Sequence, residues 1–375
     1  MKKIVFLTGT RADYGKLKAL MQSIEKDSEF NLQVFVTGMH MLSKYGSTYR
    51  EILKDGFSNI YQFVNTREAQ NADLTLSNTI TGFSNYVEEF KPDLIIVHGD
   101  RVEALAGAIV GALNNTRVAH IEGGEISGTI DESIRHAITK FAHYHLVSNE
   151  QAARHVAQLG EKKDSIFIIG SPDIDVMRAD QLPSLNETKK RYDIAFDTFA
   201  ILLLHPVTTE IGKFATQVEN IKNAILESKK NYIVIYPNND LGSEVIFKAY
   251  EQLENLIHIR MFPSLRFEYF LTLLKNAEFI IGNSSAGIRE AGIYGTPAID
   301  IGSRQLGRYS KIEAPHVIHV QSVQKEIQNA IDQIPKLKVA PTLSFGEGNS
   351  AEKFMNVIND ENFWIHAIQK QFVPR

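Results

Sequence analysis

Along the first half of the chain the apolar positions switch between two periods. Short runs of β-forming apolar residues stand at Ile4–Leu7, Leu32–Thr37, Leu94–Val97, Val118–Ile121 and His145–Ser148. Between them, Leu17–Glu25, Leu74–Phe90 and Val102–Leu113 repeat their apolar positions every three or four residues, the spacing of one helix face. Strand–helix alternation of this kind predicts a parallel sheet with right-handed crossovers. A shorter run, Ile166–Ile169, leads into Gly170-Ser171-Pro172, where an exit from the first domain is expected.

The stretch Asn186–Asp197 is polar and reads as a surface segment or linker. A second series follows, with strands expected at Ala200–Leu204, Tyr232–Tyr236, Ile257–Met261, Phe279–Ile281, Ala298–Ile301 and Val317–Val320. Helical spacing fills the gaps at Ile221–Ser228, Glu268–Lys275 and Val323–Ile334, and returns in the tail from Ala351 to Gln371. The pattern predicts an α/β protein of two Rossmann-like, doubly wound domains, residues 1–175 and 176–350, with the tail 351–375 crossing back onto the first. In such folds ligands bind outside the carboxyl ends of the strands, which here implies a cleft faced by both sheets.

Composition narrows the function. A chain of 375 residues, 43% hydrophobic and 22% charged, has the make-up of a globular protein. Its net charge of −4 excludes a general nucleic-acid binder, so any anionic ligand must be held by local donors. The absence of cysteine removes disulfides, thiolate nucleophiles and cysteine-ligated zinc. The apolar run behind Lys2 and Lys3 stops at Thr8, too short for a signal core of about 7–15 residues. No stretch approaches the roughly 20 apolar residues of a membrane span. A cytoplasmic enzyme without membrane partners is expected.

Candidate chemistry gathers after the strands. His98-Gly99-Asp100-Arg101 and His120-Ile121-Glu122-Gly123-Gly124-Glu125 each follow an apolar run, and Asp131 lies at the start of a helix just beyond. Carboxylates at neighbouring strand ends repel, which raises at least one pKa unless a cation intervenes. Arg101 and Arg135 are the candidate cations. His120-x-Glu122 echoes the opening of zinc deaminases, but their cysteines are missing. His136, His143 and His145 lack the i, i+4 spacing of a helical zinc pair. No metal and no cofactor is expected.

Three further segments suit a nucleotide. The turn Thr8–Gly15 contains neither a dinucleotide fingerprint nor a Walker A sequence. Its Gly9 allows a tight turn, and Arg11 offers a planar fork for phosphate oxygens. Gly282-Asn283-Ser284-Ser285-Ala286-Gly287-Ile288-Arg289-Glu290 follows Phe279–Ile281 and reads as a helix opening able to hold an anion. Glu290, about one turn in, suits the neutral hydroxyls of a ribose. His205, at the head of His205-Pro206-Val207-Thr208-Thr209-Glu210, is placed to bind phosphate or donate a proton.

These blocks carry a resemblance. The sequence resembles the hydrolysing UDP-N-acetylglucosamine 2-epimerases of bacterial sialic-acid pathways and the epimerase half of the bifunctional mammalian enzyme. It does so through TRADYGKL (10–17), HGDR (98–101), HIEGGEISGTIDESIRHAITK (120–140), HPVTTE (205–210) and GNSSAGIREAGIYGTP (282–297). The non-hydrolysing relatives carry an arginine-rich stretch in place of HPVTTE, and proline and glutamate where this chain has Ala12-Asp13-Tyr14.

The resemblance implies a GT-B-type pair of domains binding a UDP-sugar. UDP leaves by elimination to a 2-acetamidoglucal, and water adds to give N-acetylmannosamine, the first step of sialic acid biosynthesis. By position it implies Asp100, Glu122 and Asp131 as the catalytic acids. It implies Arg11, His205, Ser284, Ser285, Glu290 and Arg304 as UDP contacts, with Asn238 and Asp240 adding to that site. It also implies a homodimer or dimer of dimers. The alternatives are the same reaction on a 2,4-diacetamido sugar nucleotide of a legionaminic-acid pathway, or a GT-B glycosyltransferase. Lys248 and Glu251 occupy the places of two mammalian arginines implicated in feedback by a nucleotide-linked sialic acid, and the charge reversal argues against that regulation. With no kinase segment following, phosphorylation of the product is not expected.

Overall fold

The computed structural model describes residues 1–68, 70–178, 182–311, 314–337, 339–371 and 373. It divides into two compact units, Met1–Glu125 with Asp131–Arg178 and Phe345–Arg375, and Ile126–Ile130 with Ala179–Ser344. Each is an α/β unit of the Rossmann-like kind expected.

The first unit is built on seven parallel strands: β1 (Lys2–Thr8), β2 (Phe30–Val36), β3 (Ile60–Gln62), β4 (Leu94–His98), β5 (Arg117–Ile121), β6 (Tyr144–Val147) and β7 (Ile166–Ile168). Their spatial order is β3-β2-β1-β4-β5-β6-β7. The winding reverses between β1 and β4, so the loops after those two strands diverge and leave a crevice. Alternate side chains feed opposite faces. Ile4 and Phe6 pack with Leu17, Met21 and Phe354 on one side, and Val5 and Leu7 with Phe83 and Ala108 on the other.

The second unit repeats the winding with β8 (Ala200–Leu203), β9 (Tyr232–Ile235), β10 (Ile259–Phe262), β11 (Ile280–Gly282), β12 (Ala298–Ile301) and β13 (Val317–Val320). The order β10-β9-β8-β11-β12-β13 puts its reversal between β8 and β11. Gly282 ends β11 at φ 138°, and a Cβ there would stand 2.1 Å from the carbonyl oxygen of Leu203. Only glycine lets the two strand ends approach this closely.

The structure corrects four local expectations. The first helix spans Arg11–Glu25, six residues earlier than its apolar spacing suggests, because Thr10 and Asp13 form a reciprocal capping box. The edge strand β3 was not anticipated. Its Ile-Tyr-Gln sequence is half-exposed to exposed and carries no apolar run. The polar stretch read as a linker contains the helix Leu185–Tyr192, capped by Ser184. Its Tyr192 rests edge-on against Phe262 and Tyr269, and Thr188 on the same helix is fully buried, so a narrow face docks a largely polar helix. The tail is not one helix to Gln371. It breaks at Asp360 into Ser350–Asn359 and Glu361–Ile365. Beyond that it runs as a strap whose carbonyls accept hydrogen bonds from Arg117 and His143. Among the described residues no helix is long and apolar enough to cross a membrane.

Candidate active site

The three candidate acids stand on the loops after β4 and β5 and at the start of the helix Ile130–Phe141. The side chain that organises them is Arg135, on the second turn of that helix and fully buried. Its Nη2 donates to Asp100 Oδ2, and its Nη1 donates to the carbonyl of Glu125 at 3.0 Å. Burial opposes its charge. Asp100, Glu125, Glu122 and Asp131 outweigh burial and push the guanidinium pKa above its ordinary value. The three candidate acids are therefore all within electrostatic reach of one fixed cation. Arg101, the other candidate cation, turns instead to the buried Glu103, with Nε 3.3 Å from Oε2.

Glu122 has a second set of neighbours. Its Oε2 lies 2.7 Å from His98 Nε2 and 3.7 Å from Lys16 Nζ. Lys16 also reaches Asp173, at 3.8 Å. Glu122 holds φ at +70°, a left-handed conformation uncommon for a residue with a side chain. Such strain persists where the surroundings impose it, and here His98 and Lys16 both face the carboxylate. Neither Lys16 nor Asp173 was a candidate from sequence. Lys16 follows an apolar helix face as an ordinary polar residue would, and its burial is a property of the fold.

The turn after β1 is arranged differently from expectation. Gly9 has no left-handed backbone; it is small because a Cβ there would lie 3.2 Å from Glu103. The amides of Gly9 and Thr10 both donate to Asp13, at 3.0 Å each, so the protein's own carboxylate occupies that nest. Arg11 is paired with Glu51. The other candidate histidines face separate partners: His136 lies 3.5 Å from Glu132, His143 Nε2 donates to the carbonyl of Ile368, and His145 lies 3.1 Å from Glu161.

In the second unit Asn283, just past β11, joins three loops. Its side chain accepts the His205 amide at 2.7 Å and donates to the His205 carbonyl at 2.9 Å. Its own carbonyl accepts from Arg304 Nη1 at 3.2 Å and Gln305 Nε2 at 2.8 Å. His205 Nδ1 accepts the Asn238 amide at 3.2 Å, which leaves the ring proton on Nε2. Asn238 in turn donates to Asp240. Thus His205, Asn238, Asp240, Asn283 and Arg304 form one connected group. Asn283 stands right after β11, a strand at the switch point, and that position is the sequence signal for its role.

Ser284 and Ser285 do not open a regular helix. They begin a 3-10 turn, Ser285–Gly287, and the α-helix proper is only Glu290–Tyr294. Glu290 is its first residue, not one turn in. The Ala286 amide is taken by Ser284 Oγ, and the amides of Gly287 and Ile288 bond back to Ser284 and Ser285 carbonyls. Helix-dipole capture of an anion is therefore weaker here than the sequence suggested. Lys248 and Glu251 lie on the helix Ser243–Glu251.

A family model described as UDP-N-acetylglucosamine 2-epimerase matches residues 22–359. The chain belongs to the UDP-N-acetylglucosamine 2-epimerase family. Among its relatives, the epimerase of that name from Neisseria meningitidis serogroup B is 46% identical across 100% of this chain and 99% of its own length. The UDP-N,N'-diacetylbacillosamine 2-epimerase (hydrolyzing) of Legionella pneumophila is 32% identical over 94% of each chain. The crystal structure of the Methanocaldococcus jannaschii UDP-GlcNAc 2-epimerase, in complex with UDP-GlcNAc and UDP, superposes with a TM-score of 0.81 over 96% of this chain and 99% of that one. At 21% identity that likeness concerns the epimerase fold.

Proposed function

We propose that this epimerase is of the hydrolysing type, converting UDP-N-acetylglucosamine and water to UDP and N-acetylmannosamine, the entry to sialic acids. The observation that carries the reading is the grouping of Asp100, Glu122 and Asp131 about Arg135. The block HPVTTE and the hydrolysing Legionella relative point the same way.

The chemistry asks for such a group. The proton on sugar carbon 2 has no adjacent carbonyl carbon, so no enolate can absorb its electrons. Departure of UDP with the C1–O electron pair gives oxocarbenium character and acidifies that proton. One carboxylate then removes it, and the C–H pair becomes the C1=C2 double bond of a 2-acetamidoglucal. Hydration returns a proton to carbon 2 from the opposite face and places water oxygen on carbon 1. Two faces need separate acids, and Arg135 keeps several carboxylates together without mutual expulsion. The nucleotide contacts are assigned to Arg11, His205, Asn238, Asp240, Ser284, Ser285, Glu290 and Arg304. His205 supplies a neutral Nε2–H for an anionic oxygen.

UDP-N-acetylglucosamine is preferred to the 2,4-diacetamido analogue because the relative bearing the former name is 46% identical and the one bearing the latter 32%. Product analysis by NMR tests both points. Free UDP and N-acetylmannosamine are expected. Accumulation of UDP-N-acetylmannosamine would place the chain with the non-hydrolysing enzymes, and faster turnover of the analogue would move the substrate.

A further inference from the structure

One buried side chain in this region takes no part in the chemistry just described. His120, in β5, is completely inaccessible to solvent. Its Nε2 lies 2.8 Å from the carbonyl oxygen of Gly99 and its Nδ1 3.1 Å from Thr139 Oγ1. A carbonyl can only accept, so Nε2 carries the proton and donates to Gly99, and Nδ1 accepts the Thr139 hydroxyl. Each partner belongs to an element that bears a candidate acid. Gly99, at φ +74°, immediately precedes Asp100, and its amide is bonded to the carbonyl of Ile121 at 2.9 Å. Thr139 lies on the helix that carries Asp131 and Arg135. His120 itself stands two residues before Glu122.

The glycines nearby fit the same purpose. A Cβ on Gly123 would come within 3.0 Å of His120 Nδ1 and 3.2 Å of Thr139 Oγ1. Bare glycine after Glu122 thus leaves room for the imidazole–hydroxyl bond.

We propose that His120 is a positioning residue, a neutral imidazole strut that sets the register of the Asp100 loop, the Glu122 loop and the helix bearing Asp131. This rests on the hydrolytic reading of the site. Burial pushes the His120 pKa down to about 3, against the Gly99 hydrogen bond, and His145, Arg135 and His98 around it act in the same direction as burial. The ring therefore does not exchange a proton in the working range, and its contribution is geometric. Small misplacements of reacting groups cost rate steeply, so loosening the strut lowers kcat and leaves nucleotide affinity in place.

Two measurements on the full chain test this. The first is the histidine ring nitrogen spectrum of the ligand-free protein. The expected result is a His120 signal held in the Nε2–H tautomer from pH 5 to pH 8. A ring that titrates in that range, or carries its proton on Nδ1, overturns the proposal. This readout does not depend on the substrate. The second is the kinetics of Thr139→Val, Thr139→Ser and His120→Phe, beside the wild type on UDP-N-acetylglucosamine. Thr139→Val is expected to lose about tenfold in kcat and His120→Phe more, with UDP affinity held and both limbs of the pH–rate profile in place. Thr139→Ser is expected to recover most of the Thr139→Val loss. A Thr139→Val enzyme within about twofold of wild-type kcat overturns the proposal, as does disappearance of a pH limb in His120→Phe. Should His120→Phe fail to fold, the threonine pair decides. Wild-type turnover reports separately on the hydrolytic reading.

Discussion

Arg135 donates to Asp100 from a site with no solvent access, while the Asp100 side chain keeps a quarter of its surface exposed. The cation is locked and the acid remains reachable. That asymmetry suits the role proposed for Asp100: a buried guanidinium balances its charge while part of the carboxylate stays accessible.

Removing the guanidinium should therefore cost both stability and rate. For Arg135→Met the expected destabilisation is about 3–4 kcal/mol, in the lower part of the range for a broken buried pair because Asp100 can rehydrate. Urea unfolding measures it, and kcat should fall with it. A variant as stable as wild type would show that the cation does not hold these carboxylates together.

Glu122 is predicted to trade stability for function. Its φ of +70° costs a residue with a Cβ roughly 1 kcal/mol and costs glycine almost nothing. Glu122→Gly should thus be more stable than Glu122→Ala by about 1 kcal/mol, with both inactive. Equal unfolding midpoints would mean that the backbone at this position is relaxed.

The architecture was largely legible because parallel strands in α/β units are continuous apolar runs, and even the edge strands β7, β10 and β13 keep enough apolar residues to show it. The edge strand β3 was hidden by its exposed, polar-ended Ile-Tyr-Gln sequence, and the helix Leu185–Tyr192 by a polar composition that hides a single docking face. The capping pair Thr10 and Asp13 was present in the sequence and marks the true helix start; apolar spacing alone pointed to Leu17. In the site, Asp100, Glu122 and Asp131 were visible as acids after strands. Their common partner was not, since Arg101 and Arg135 are the same residue type and only packing decides that one turns to Glu103. Lys16 and Asp173 were invisible for a related reason: a buried ion pair drawn from distant segments leaves no local pattern.

Acid should weaken the fold in a definite window. His40 is fully buried between Thr8 Oγ1, at 3.1 Å, and Thr48 Oγ1, at 2.6 Å. Burial pushes its pKa down from 6.5 to about 4, although Asp13 pulls it upward. Between those values the unfolded chain binds the extra proton, so stability is complete above pH 6.5 and is lost as pH falls toward 4. His120 acts in the same sense down to about 3. Each such histidine adds a slope of up to about 1.4 kcal/mol per pH unit. The urea midpoint should fall from pH 7 to pH 4.5, and His40→Asn should flatten that dependence. An unchanged slope in the variant would remove His40 from the explanation.

Turnover and nucleotide binding should separate by mutation. Asp100→Asn and Glu122→Gln keep shape and lose the basic oxygen, so each is expected to abolish turnover, while UDP affinity measured by calorimetry stays within about threefold of wild type. Near-normal rate in either variant would strip that residue of its proposed role.

The central claim is that these carboxylates move a proton at carbon 2 as UDP departs, and solvent isotope reads it directly. With UDP-N-acetylglucosamine in deuterated water, the N-acetylmannosamine released should carry one deuterium at carbon 2, seen by NMR as loss of that proton signal. Product that retains the original hydrogen at carbon 2 would contradict elimination and the role given to Asp100, Glu122 and Asp131.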